Sequence, residues 1–409
     1  MSHKERIVCG LDVGTEKICC LIGRVRANGN FEVAGCGHTP SAGLRKGVVV
    51  NLDEAAAAIR RAAQEAELKS SLSIDWVTAG VSGDHIQSLN CHGAVAINGK
   101  YHEVTADDVA QVIKAAQNGA IPPQREVIHV LPQEFFLDSR GDIRNPLGLT
   151  GQRLDADVHV VTGDSALTQN LIHAVNKAQM RVRKVVSPQL AGGQAVLTRD
   201  ERELGTALID IGGGTTDIAL MVRDAMRFTS VLPVGGQHFT RDVAVGLRAP
   251  VAEAERIKRQ AGSVLLEQVA EDEVVEIAGI DERGARTVSR RILCRILRDR
   301  TVELLELIRD RIIRSGYREQ LVTGAVLTGG GSLLGGLLPL AEHVLEMPVR
   351  QGVPHNIPGL TNELIHPIYA TVVGLAMLAV QNHGERRVRP GKANAAPWFV
   401  NRFLSWVGS

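Results

Sequence analysis

Residues Ala207 to Leu220 read ALIDIGGGTTDIAL, and this run decides the fold. An apolar strand closes on Asp210, the chain passes through Gly212, Gly213 and Gly214, and a second apolar strand follows Thr215, Thr216 and Asp217. A hairpin turn needs one or two glycines; three in a row between buried-looking strands mark a backbone that must come close to something. The two threonines bring hydroxyl and N–H groups that suit phosphate oxygens. The two aspartates are placed to hold a metal ion or its waters beside those phosphates.

The same design recurs near the N-terminus. Ile7 to Gly23 reads IVCGLDVGTEKICCLIG: a strand ending in Asp12, a turn with Gly14 and Thr15, then a second strand over Ile18 to Ile22. Lys17 offers a point charge to a phosphate. A third segment, AVLTGGGSLL over Ala325 to Leu334, runs a short strand into Gly329, Gly330 and Gly331, with Ser332 expected to cap the helix that follows. None of the three fits G-x-x-x-x-G-K-[ST] or the dinucleotide pattern G-x-G-x-x-G, so neither a P-loop nor a Rossmann site is expected.

The chain of 409 residues is long enough for two domains with full cores. A formal charge of +1 gives no general bias toward nucleic acid, and none is expected as a partner. The six cysteines include no C-x-x-C pair, and the histidines no H-E-x-x-H, so we expect reduced thiols and no metal cluster. Neither an export signal nor an apolar run of membrane-spanning length is expected.

Between the glycine loops the pattern predicts a third strand (31–37), an alanine-rich helix (54–68) with Asp53 in its N-cap region, and a strand (76–81). Residues 83–163 change character, with strand (86–97), helix (107–118), a proline- and turn-rich stretch, then strand (154–161), and read as an inserted α+β module. A helix (164–179), a strand (181–186) and a small-residue helix (188–197) return to the main body. Beyond the second loop come a helix over 250–260 with Glu255 and Lys258 one turn apart, a strand-rich stretch at 264–287, a long helix (292–313) and a closing apolar helix (371–380).

Residues 381–396 are polar and basic and read as a linker with a reach of about 20–24 Å. Pro397 to Ser409 reads PWFVNRFLSWVGS and carries four of the chain's few aromatics. At 100° per residue, Phe399, Phe403, Leu404, Trp406 and Val407 share one arc, and Trp398 falls at the first turn. A helix this short and amphipathic fits a membrane-surface anchor whose hold depends on many copies acting together.

Three nucleotide-type loops at this spacing resemble the actin/Hsp70/sugar-kinase superfamily. With the inserted module and the tethered tail added, GLDVGTEKI, DIGGGTTDIA, VLTGGGSLLGGL and YATVVGLAML are similar to the motifs of the FtsA family of bacterial actin-like division proteins. The resemblance implies an α/β actin-like ATPase fold, two similar domains around a nucleotide cleft. It divides the chain into subdomain 1A (1–82, 164–203 and 363–380), an inserted 1C of SHS2 type (83–163), 2A (204–236 and 306–362) and 2B (237–305), then the linker and the helix 397–409. It implies ATP and Mg²⁺ held by Asp12, Gly14, Thr15, Lys17, Asp210, Gly212, Gly213, Gly214, Thr215, Thr216, Asp217, Gly329, Gly330, Gly331 and Ser332, with Asp12 and Asp210 toward the metal and Glu255 and Lys258 lining the adenosine pocket. It further implies homopolymers on the cytoplasmic face of the inner membrane at the division site, capture of the C-terminal peptide of FtsZ by 2B, and other divisome partners on 1C. Where the Hsp70 relatives carry a water-orienting Glu and actin a Gln, this chain has Ser187, with Gln189 near it, so at most slow ATP hydrolysis is expected. A small-molecule kinase of the same superfamily would need a catalytic Asp or Arg that does not stand out here. A type IV pilus assembly protein of the PilM kind has the loops but not this linker and tail.

Overall fold

The computed structural model describes residues 6–26, 31–118, 121–278 and 284–381. The expected linker and the tail helix with its membrane-binding residues lie outside the described residues, apart from Gln381.

The chain opens with β1 (Arg6–Val13), β2 (Lys17–Val25) and β3 (Phe31–Pro40), a short hairpin of β4 (Leu44–Arg45) and β5 (Val48–Val49), α1 (Leu52–Ser70) and β6 (Trp76–Gly80). The N-cap of α1 is Asn51, whose side chain accepts from Asp53 N and Glu54 N; Asp53 lies inside the first turn. The alanines of α1 lie so close to β3 that a Cβ on Gly37 would fall 2.2 Å from Ala62 O.

The inserted module contains β7 (Gln87–Ala96), α2 (Ala106–Gln117), β8 (Arg125–Leu137), β9 (Arg140–Ile143) and β10 (Arg153–Asp164), in a sheet ordered β7-β10-β8-β9. The long strand β8 replaces the turn-rich stretch expected from its prolines. Pro132 sits opposite Val158 at a register shift, and β9 covers only Phe135 to Leu137 of that flank, so the missing N–H costs no ladder bond.

Next come α3 (Ser165–Lys177), β11 (Arg181–Val186), α4 (Pro188–Val196) and α5 (Arg199–Leu204). The second half runs β12 (Thr206–Ile211), β13 (Thr216–Val222), β14 (Ala225–Leu232), α6 (Gly236–Gly246), α7 (Val251–Ala261), β15 (Val274–Ile277), β16 (Arg286–Ser289), α8 (Arg290–Arg314), β17 (Ala325–Thr328), α9 (Leu337–Leu345), β18 (Val349–Gln351) and α10 (Ala370–Gln381).

The two main sheets repeat one topology. Their orders are β11-β6-β1-β2-β3 and β18-β17-β12-β13-β14. In each, a central strand pairs antiparallel with the strand after the glycine turn and parallel with its other neighbour. The inner faces share one core: Cys19 and Leu21 of β2 join Leu208 of β12 and Ala219 of β13 around Ala195 of α4 and Val372, Val373 and Ala376 of α10. Backbone meets backbone there, since a Cβ on Gly374 would fall 1.7 Å from Ala191 O and one on Gly10 2.6 Å from Val372 O. The six cysteines are all buried free thiols.

Gly374→Ala should therefore force α10 off α4 and lower the unfolding free energy by about 3 kcal/mol. Gly192→Ala on α4 is the control, because its Cβ would meet nothing nearer than Leu208 Cδ2 at 3.6 Å. Urea unfolding with an unchanged slope reads both; equal midpoints would refute the close-contact account.

Candidate functional site

Asp12, opposite Cys19, and Asp210, opposite Asp217, are each the last residue but one of their strands β1 and β12, so antiparallel pairing sets both acids at hairpin mouths. Parallel pairing sets Asp210 beside Thr328, the residue before the third glycine loop. Gly329 takes φ +80°, and a Cβ there would fall 2.1 Å from Asp210 Oδ1. Only glycine lets that loop pass the carboxylate.

The two hairpins meet at their tips. A Cβ on Gly214 would fall 2.7 Å from Thr15 Oγ1, and one on Gly213 2.4 Å from Glu16 Cγ. Thr15 Oγ1 accepts from Gly47 N at 2.9 Å, and Gln237 Nε2 donates to Glu16 across the halves. Gly212 O accepts from Gly236 N at 2.9 Å and Gly213 O from Gln237 N at 2.8 Å. Those hairpin acceptors are therefore already engaged with the start of α6, which suits a loop that receives an anion. Gly14 N donates to Lys17 O at 3.1 Å and closes the first turn. Thr216 Oγ1 donates to Val234 O at 2.8 Å.

Three carboxylates cluster behind these turns. Burial raises Asp12 above its ordinary value, against the opposing pull of Lys17. Burial, with the charge of Asp12 adding to it, pushes Asp210 up to about 6. Burial and the neighbouring Asp210 push Asp217 up to about 8. Such crowding is electrostatically costly and suits a cation or donors bound against it. Among the described residues no group of three or more His, Cys, Asp or Glu side chains is placed to hold a metal by itself. Two carboxylates are, however, what Mg²⁺ takes when phosphates and waters fill its other positions, so Asp12 and Asp210 fit that ion in company with a nucleotide.

Lys17 is engaged within the protein. Its Nζ donates to Ile368 O, bonds Cys19 Sγ at 3.2 Å and lies 4.9 Å from the Tyr369 ring centre. Burial works against its charge, but Cys19 and Asp12 outweigh it and hold the ammonium above its ordinary value. Ser332 differs from expectation. It lies inside a 3-10 turn (Gly330–Leu333), donates to Gly329 O at 2.7 Å and accepts from Gln351 Nε2 at 3.1 Å. Helix α9 begins later, with Gly336 as its N-cap in the left-handed region, so Ser332 caps no helix. Gly331 packs on Ile211, where a Cβ would fall 2.3 Å from Cγ2. Glu255 and Lys258 pair at 2.6 Å, and Lys258 Nζ also donates to Thr240 Oγ1 at 2.8 Å and Gly236 O at 3.2 Å, which joins α7 to the start of α6.

Sequence reasoning left three partners unassigned. Gln189 Nε2 donates to Asp217 Oδ1 at 2.6 Å, Thr371 Oγ1 donates to Asp210 Oδ2 at 3.1 Å, and Ser187 N donates to His129 Nε2 at 3.0 Å. Gln189 could be found two residues beyond Ser187; His129 carries no local signature, because the inserted module brings it in from 58 residues away.

Comparison with known proteins agrees with this geometry. A family model described as "Cell division protein FtsA" matches residues 207–374, and one described as "SHS2 domain inserted in FTSA" matches residues 83–162. The FtsA of Pseudomonas aeruginosa is 42% identical over 93% of this chain and 91% of its own length. That of Escherichia coli K12 is 36% identical over 98% of each. Among solved structures, a PilM-PilN type IV pilus biogenesis complex aligns with TM-score 0.66 at 18% identity, covering 91% of this chain and 98% of that one. MreB 5 of Spiroplasma citri bound to AMPPNP aligns with TM-score 0.53 at 13% identity, covering 91% and 96%. At such identities these two establish an actin-like fold and nothing more. With curated relatives matching at 42% and 36% across more than nine-tenths of its length, the chain belongs to the FtsA family of cell division proteins.

Proposed function

We propose that this protein binds ATP with Mg²⁺ between its two repeated sheets, assembles with its own kind, and ties the FtsZ ring to the membrane at the division site. The observation that carries the reading is the convergence of two equivalent hairpins, headed by Asp12 and Asp210, on a glycine loop that only glycine can bring past Asp210. Two fold neighbours support it: MreB 5 of Spiroplasma citri has been solved bound to AMPPNP, and MamK as a double helical filament.

On this reading the N–H groups of Gly213, Gly214 and Thr215 and of Thr15 receive the phosphates, while those of Gly14 and Gly212 close the two turns on Lys17 O and Thr215 O. Asp12 and Asp210 hold the ion that neutralises them, and the Gly329 loop with Glu255 and Lys258 frames the nucleoside. Magnesium supplies the positive charge that the carboxylate cluster calls for. Hydrolysis is slow at most on this reading, because Ser187 offers only a hydroxyl where the Hsp70 relatives carry a carboxylate. The subdomain division 1A, 1C, 2A and 2B, the FtsZ site on 2B and the divisome partners on 1C belong to the same proposal by family resemblance. Attachment falls to residues 397–409, and no described helix is long and apolar enough to cross a membrane.

Asp210→Ala should weaken ATP binding about tenfold or more, the worth of one charged contact, by fluorescence titration. Unchanged affinity would sink the site. Sedimentation with anionic vesicles and ATP, with and without FtsZ, tests the output: removing 397–409 should leave the protein in the supernatant, and co-sedimentation undiminished by that deletion would refute the anchor.

A pH dependence follows from the carboxylates. Asp210 and Asp217 bind protons more tightly folded than unfolded, so the native state holds the extra protons between the ordinary carboxylate range and about 8. Stability of the unliganded protein should fall as pH rises through that window. Asp217→Asn should flatten the slope, and saturating Mg²⁺ with ATP should reduce it, in thermal melts. A melting temperature that climbs with pH across the window in the unliganded wild type would contradict the clustering.

A further inference from the structure

The inserted module touches both halves of the molecule. Its contact with the second half runs along β14, the last strand of that sheet. A terminal strand presents unpaired carbonyls. Here three of them are satisfied by side chains of the module: Met226 O accepts from Gln133 Nε2 at 2.8 Å, Arg227 O from Asn90 Nδ2 at 3.0 Å, and Thr229 O from Ser88 Oγ at 2.9 Å. Behind them His159 bridges Asn90 Oδ1 at 2.7 Å and Thr229 Oγ1 at 3.0 Å. Gln133 is the extra residue at the irregularity beside Pro132, and a bulge of this kind turns a side chain out of its regular direction.

The strand that carries Gln133 also carries His129, four residues earlier. His129 is buried and accepts from Ser187 N at the N-cap of α4. Two residues on, Gln189 donates to Asp217, and Asp217 lies opposite Val231 of β14. Thr215 Oγ1 donates to the other carboxylate oxygen of Asp217 at 3.3 Å, from its own loop. β8 thus grips the first turn of α4 through His129, and reaches the start of β14, the ladder neighbour of β13, through Gln133.

We infer that His129 and Gln133 are positioning residues of the cleft: they fix Asp217 from two sides, through Ser187–Gln189 and through β14, and so couple the inserted module to the nucleotide. This rests on the proposal that the cleft takes ATP. Coupling of this kind is reciprocal, so nucleotide in the cleft steadies the seam between β8 and β14, and a ligand that shifts β8 changes nucleotide affinity by the factor by which nucleotide changes its own.

The test uses the full chain and four forms: wild type, His129→Ala, His129→Gln, which keeps an acceptor for Ser187 N, and Gln133→Ala at the partly exposed seam. Titration with a fluorescent ATP analogue and Mg²⁺ should show affinity about three- to tenfold weaker in His129→Ala and Gln133→Ala, with His129→Gln recovering most of it. Hydrogen exchange without nucleotide should quicken over residues 216–232 in Gln133→Ala and over 187–196 in His129→Ala. In the wild type, Mg²⁺ with ATP should slow exchange along β8 and β14. A merely structural role would lower the melting temperature without moving affinity or the nucleotide-dependent protection. Wild-type affinity in a folded Gln133→Ala, with exchange over 216–232 unchanged, overturns the inference. Should the wild type fail to bind the analogue, the cleft proposal fails, and the exchange pattern without nucleotide still decides whether β8 holds the Asp217 supports.

Discussion

Everything in this molecule hangs on bare backbone packed against bare backbone between the two sheets. Gly374 of α10 lies on Ala191 of α4, and Gly10 of β1 lies on α10. Side chains at those points would push the layers apart and separate the strand ends. With hydrogens there instead, the first sheet, α10, α4 and the second sheet share one apolar core. The strand ends that carry Asp12 and Asp210 then converge. The placing of the site thus follows from this packing, and its acids are buried within electrostatic reach of one another.

That crowding gives the cleft its character. Desolvation and mutual repulsion act on Asp210 and Asp217 together, and the nearest ammonium, Lys17, is held by Ile368 O, Cys19 and the Tyr369 ring. Lys17 offsets only part of the burial of Asp12 and Asp210, and both acids still stand above their ordinary values. The electrostatics of the cleft are accordingly of the kind that a bound cation would relieve.

Much of this was legible in the sequence because it is local. The repeated strand–Asp–glycine–Thr–strand pattern located both hairpins, and strand 181–186 has the expected limits. Alanine spacing revealed α1, although its cap is Asn51, one short polar residue ahead of the acids that drew attention. What failed was non-local. Pro132 argued against a strand, yet β8 accommodates it at an irregularity with a mostly open flank. Ser332 looked like a cap, yet the glycines before it tighten into a 3-10 turn and delay the helix to Leu337. The strand-rich stretch at 264–287 contains β15 and the start of β16 beside a 3-10 turn. No periodicity could have announced that His129 would meet Ser187, or that Gln133 would reach Met226, since each contact exists only once the module has docked.

The covered border of β14 has one more consequence. An uncovered terminal strand is exposed to templated strand addition, the route by which sheets of neighbouring chains fuse and grow into fibrils. On β14, amide and hydroxyl side chains from within the same chain occupy carbonyls that an intruding strand would need, and they do so at irregular spacing with no continuous ladder behind them. The module thus covers part of an edge that would otherwise be open to a further strand.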